Sequence, residues 1–130
     1  MEELSYKGNK VKILFDPEIS ELHVAEDFKA LTDYGIDRLI KEKFIPWLQG
    51  NQFLDRDINL VFEGLKPYEV NYYYGKIIDK YSPTKETDFF GHFEICFESS
   101  SEYTSDMLVA VAMQIYVLKG QVVKVSGYDI

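Results

Sequence analysis

Apolar and polar positions alternate most regularly in the last third of this chain. FFGHFEICFES (89–99), LVAVAMQIYVL (108–118) and QVVKVSGYD (121–129) are three strand-like runs, the last two joined by Lys119-Gly120. In 107–118, Met107, Val109, Val111, Met113, Ile115 and Val117 fall on one face, and Ala110, Ala112, Gln114 and Tyr116 on the other. A strand that presses its bulky face onto a core and is closely covered on its back has this pattern. A buried helix opened by Ser105 is the competing reading, and the period of two decides for a strand. The three runs are expected to form an antiparallel meander at the centre of the fold.

Upstream, 4–7 and 10–15 read as a hairpin turning at Gly8-Asn9, which accept positive φ, and Asp16-Pro17 ends its second arm. Residues 18–50 carry helical spacing: Leu22, Ala25, Phe28 and Leu31, then Ile36, Leu39, Ile40, Phe44, Trp47 and Leu48. Pro46 predicts a kink or an early ending near Ile45, because proline removes a donor and crowds the preceding turn. A loop (51–57), a strand (58–64), a connection (64–67) and a second strand (69–79) bent or bulged at Gly75 follow. Residues 80–88 read as a polar loop. The fold class expected is α+β: one domain, 1–130, whose antiparallel sheet of about six to seven strands carries the helices of 18–50 on one face.

Composition narrows the picture. With 130 residues, 46% hydrophobic and 15% aromatic, the chain can bury a proper core. Its single cysteine, Cys96, excludes an internal disulfide and fits a reducing compartment. MEELSYKGNK lacks the apolar core of a signal peptide, and the longest low-charge run, 107–118, is shorter than the ~20 residues that span a bilayer. A soluble cytoplasmic protein is expected. The net charge of −8 concentrates in two segments: 16–37 holds seven acids against Lys29, and 86–118 holds six acids and no Lys or Arg. Such a field repels nucleic acid and anionic lipid; it either serves solubility alone or also steers a basic protein partner.

Candidate chemistry sits on 92–98, where Phe93, Ile95 and Phe97 face one side of a strand and His92, Glu94, Cys96 and Glu98 the other. The plain reading is an aromatic face on the core and a polar face in water, with Cys96 a partly buried small hydrophobe. A Cys96–His92 dyad fails on geometry, since four strand residues separate the two by about 13 Å. His23 would have to be brought in by the fold. No catalytic or metal site and no cofactor is expected: zinc and EF-hand spacings, phosphate loops and a nucleophile elbow around Ser99-Ser100-Ser101 are all missing. Tyr68, Tyr72, Tyr73, Tyr74 and Tyr81 cluster within fourteen residues. Sheet packing explains such a cluster, and so does a protein-binding patch. The candidate interaction surface is Tyr72, Tyr73, Tyr74, His92, Glu94, Cys96 and Glu98.

FFGHFEICFE (89–98), followed by a meander ending in KGQVVKVSGYD (119–129), resembles bacterial domain-of-unknown-function families. These combine an N-terminal hairpin, a helical middle and an aromatic-Gly-His strand. Comparable small acidic domains are immunity-like proteins, inhibitors that neutralise a toxin domain, and no catalytic residues carry over from them. The resemblance implies a non-enzymatic protein-binding domain with a basic protein partner. Two alternatives stand beside it: a small enzyme using the His92, Glu94 and Cys96 strand face, and a self-associating domain that forms a homodimer through its sheet edge.

Overall fold

Two turns of paired left-handed residues close the hairpins at either end of the sheet. The computed structural model describes residues 3–50, 65–75, 90–99 and 110–129. Lys7 and Gly8 have φ of 48° and 80°, and Lys119 and Gly120 have 51° and 77°. Consecutive positive φ values give the two-residue link whose twist matches that of its strands. The first link joins β1 (Glu3–Tyr6) to β2 (Asn9–Phe15). Its turn is Lys7-Gly8, one residue earlier than the expected Gly8-Asn9, because Asn9 pairs with Tyr6 as the first residue of β2. The Asn9 side-chain amide also donates back to the carbonyls of Tyr6 and Lys7.

Asp16 stops β2 by accepting the Glu18 N–H on its side chain at 2.9 Å. The helix α1 (Glu21–Tyr34) then starts at Ser20, whose hydroxyl accepts the His23 N–H at 3.1 Å. Gly35, at φ 95°, closes α1 by donating to Leu31 O at 2.8 Å. Val24, Ala30 and Leu31 are the buried residues of α1, whereas Leu22, counted on the apolar stripe from its spacing, is 70% exposed. The stripe that docks is turned from the expected one and includes a polar residue, Asp27.

The second helix runs through α2 (Ile36–Arg38), a π-helical turn (Leu39–Phe44) and α3 (Ile45–Gly50). Pro46 neither ends the helix nor starts it afresh. The turn before it widens, with Ile45 donating to Ile40 O five residues back. A wider turn relieves the crowding that proline imposes on the carbonyl four residues earlier. Leu39, Ile40, Phe44 and Leu48 are buried, as their spacing predicts, while Lys41, Glu42 and Lys43 face outward.

The remaining strands are β3 (Leu65–Gly75), β4 (Phe90–Ser99), β5 (Ala110–Leu118) and β6 (Gln121–Asp129). Strand order follows chain order, β1 to β6. The sheet is mixed, not antiparallel throughout, and has six strands among the described residues: β2 and β3 run parallel over Ile13–Phe15 and Val70–Tyr72. Helices intervene between these two strands, and a helical crossover returns the chain to the same end of the sheet, so the next strand pairs in parallel. β3 begins inside the expected connection at 64–67, and its register shifts between Pro67 and Glu69 rather than at Gly75. Proline cannot donate to a ladder and is tolerated at such an irregularity. The expected strand at 58–64, the loop at 80–88, and Met107 and Val109 lie outside the described residues.

Residues 110–118 do form a strand, as the period of two predicts, and β4, β5 and β6 are the expected meander. Val70, Tyr72, Phe93, Ile95, Phe97, Val111, Met113, Ile115, Val117 and Val125 join the buried helical residues in one hydrophobic cluster. Phe44 reaches β6 at Gly127, where an added Cβ would stand 2.4 Å from the Phe44 ring and 2.7 Å from the Ala112 carbonyl oxygen.

Candidate functional site

The register sorts the candidate residues onto two faces. Tyr73 pairs with His92 and His92 with Tyr116; Asn71 pairs with Glu94, and Glu94 with Gln114; Glu69 pairs with Cys96, and Cys96 with Ala112. Paired residues share a face, so Tyr73, His92, Glu94, Cys96 and Glu98 lie together on the side of the sheet away from the core cluster. Tyr72 and Tyr74 point to the helix side. The surface proposed from sequence is thus divided, and Tyr72, 1% exposed, belongs to the core. Its place at the centre of β3 opposite Phe93 leaves it nowhere else to go.

The polar face is not the solvated stripe its composition suggested. His92 and Cys96 are 9% and 4% exposed, and Tyr116 is 1% exposed. The His92 and Tyr116 rings stack at 4.6 Å with 4° between their planes, and the Tyr73 ring lies 5.6 Å from His92. Around this row, Tyr68, Glu69, Tyr73, Glu98 and Tyr128 stay open. The bulge in β3 carries Tyr68 over Cys96.

Glu94 is the hub of this face. The Cys96 thiol points at Glu94 Oε1, 3.8 Å away, and the Tyr128 hydroxyl lies near enough to the same carboxylate to feel its charge. Tyr68 stands beside the Cys96 sulfur, and Ser126 donates to Gln114 Oε1 at 3.2 Å. Burial, with the Glu94 and Glu69 carboxylates nearby, pushes the Cys96 thiol up to about 12. Burial and Glu94 likewise push the Tyr128 hydroxyl upward. A thiol held protonated between carboxylates is a hydrogen-bond donor, not a nucleophile.

A second constellation, missed from sequence, lies under α1. The Tyr72 hydroxyl donates to Asp27 Oδ2, and His23 Nε2 lies 3.6 Å from the same oxygen. The His23 ring packs edge-on against Tyr74 at 4.1 Å. Gly91 makes room for the pair, since a Cβ there would fall 2.0 Å from Asp27 Oδ2 and 2.9 Å from the Tyr72 hydroxyl. Burial raises the Asp27 carboxyl, against the smaller opposing pulls of Tyr72 and His23. Burial and Asp27 together raise the Tyr72 hydroxyl, which therefore stays protonated as the donor. The signal in the sequence is an acid, Asp27, set between Val24 and Leu31 on an otherwise apolar stripe. Its partner stands 45 residues away and only the fold supplies it.

His23 thus lies on the helix side and Cys96 on the polar side, so the sheet itself separates the two groups that a thiol–imidazole dyad would need. No group of three His, Cys, Asp or Glu among the described residues is arranged to hold a metal ion. No helix of the described residues is long and apolar enough to cross a membrane. No protein-family model matches the chain, and no curated protein or solved structure is significantly similar to it.

Proposed function

We propose that this chain is a non-enzymatic, immunity-like binding domain, acting in the cytoplasm, whose polar sheet face engages a basic protein partner. The observation that carries this reading is the ring of exposed tyrosines around the half-buried Glu94 carboxylate. Tyr68, Tyr73 and Tyr128 are 43%, 49% and 36% exposed, and Glu69 and Glu98 stand among them. Tyrosine offers a large apolar area with a polar tip at little entropic cost, which suits an interface. The carboxylates set the sign of the partner, and the surplus of eight negative charges on the whole chain acts in the same direction. Cys96, held as a thiol, supports binding over covalent chemistry and suits a reducing compartment.

The test is affinity capture from the native cell with two baits, the natural chain and one carrying Tyr68→Ala, Glu69→Gln and Glu98→Gln. All three positions are exposed, so the fold should survive, which circular dichroism checks. A basic protein should bind the natural chain, elute as salt rises, and bind the altered bait about tenfold more weakly or worse. A partner held equally by both baits, or indifferent to salt, refutes the reading.

A further inference from the structure

A cavity of about 650 Å³ opens where β2 and β3 part. The two strands pair only as far as Phe15 and Tyr72; Asp16-Pro17 then carries the chain away towards α1, while β3 runs on to Gly75. Leu14 and Tyr73 enter the lining from the polar face and Phe15 and Tyr74 from the helix face, so the cavity is a slot straddling the sheet. Its size falls within the range of ligand sites. Asp16 and Glu18 complete the wall, and among the described residues neither a lysine nor an arginine lines it.

Neither carboxylate forms an ion pair among the described residues. Lys29, the only base between 16 and 37, is engaged with Asp33 at 3.3 Å. Beside the carboxylates, Leu14 and Tyr73 leave about half their surface exposed, at 52% and 49%. Unpaired acid next to open apolar and aromatic surface matches one side-chain chemistry closely. An arginine stem covers apolar surface, and its planar head stacks on a tyrosine ring and forks to a carboxylate.

We infer that this slot takes an arginine side chain of the basic partner, its stem along Leu14 and Tyr73 and its guanidinium donating to Asp16 and Glu18. The inference rests on the protein-binding reading above and adds the group that is recognised. It is tested by following backbone amide shifts of the full chain on titration with N-acetyl-arginine amide, with the neutral citrulline analogue as control. The arginine compound should shift amides in 14–18 and 71–74 with saturation in the millimolar range, and the analogue should leave them in place. The Asp16→Asn, Glu18→Gln double variant keeps the Asp16 side-chain oxygen that accepts the Glu18 N–H, and it should weaken binding at least fivefold. Equal shifts from the analogue, unchanged affinity in the double variant, or no saturable shift at these amides overturns the inference. The capture experiment alters Tyr68, Glu69 and Glu98, none of which lines the slot, so failure of the slot and failure of the binding reading are separable.

Discussion

Tyr72→Phe isolates the hydrogen bond buried beneath α1. The substitution keeps the ring, which packs at 4.7 Å from Phe93, and removes only the hydroxyl that donates to Asp27. Little cavity forms, so the cost is that of a largely buried carboxylate losing its donor. His23 Nε2, at 3.6 Å, is too distant to replace it with a good hydrogen bond. Bonds to charged groups contribute about 1.5–3 kcal/mol, and the variant should lose stability by that amount at pH 7. Urea unfolding measures it as a fall in midpoint at constant slope. The sign of the pH dependence is also determined. Asp27's folded value lies above its unfolded one, so its ionisation costs stability as pH rises from the ordinary carboxylate range through the raised value. Without Tyr72 that cost grows, so the gap between variant and natural chain should be widest near neutrality and close in acid. A double-mutant cycle with Asp27→Asn separates the pair from its surroundings. A coupling below about 0.5 kcal/mol at pH 7 refutes the assignment.

Gly127→Ala should cost about 1–3 kcal/mol, because its Cβ meets both the Phe44 ring and a backbone carbonyl; adding Phe44→Leu should recover part of it in the same unfolding assay. Phe44→Ala alone leaves a void in the core and should cost about 3–5 kcal/mol by the same measurement. With the Cys96 thiol at about 12, roughly 10⁻⁴ of it is ionised at pH 8 against about a quarter of an ordinary thiol. A disulfide reagent should therefore modify the folded chain orders of magnitude more slowly than the chain in urea, and similar rates would contradict the burial that raises the thiol. Tyr72 and Tyr128 hold their protons more tightly folded than unfolded. Stability from this source is complete below about pH 10, the unfolded value, and declines as pH rises further. Alkaline unfolding followed by circular dichroism reads the decline, which should be smaller in Tyr128→Phe.

The polar face gains a sharper meaning from its burial. A row of His92, Glu94, Cys96 and Glu98 on one strand looks like an open line of functional groups. Stacking of His92 on Tyr116 and the Cys96–Glu94 contact, with Tyr68 and Tyr128 close beside it, turn its middle into a support. What stays exposed is the perimeter, where the tyrosine rings and the outer glutamates lie. On the proposed binding reading, that arrangement would hold the aromatic groups in place beforehand and lower the entropy lost on contact.

The sequence by itself determined the local elements, because periodicity is a property of neighbouring residues. Alternation in 110–118 and 92–98 was enough to choose strand and assign each side chain a face, and the spacing of Leu39, Ile40, Phe44 and Leu48 was enough to choose helix. The direction of β3 beside β2 was decided in three dimensions, since it depends on where the helical crossover returns the chain. So was the burial of the polar face, which needs the side chains of three strands brought side by side. The Asp27–Tyr72 pair and the slot at Asp16 join segments far apart in the chain, at positions where hydrophobic patterning carries no record of a partner. A pattern records which side of an element is apolar; only packing settles what that side meets.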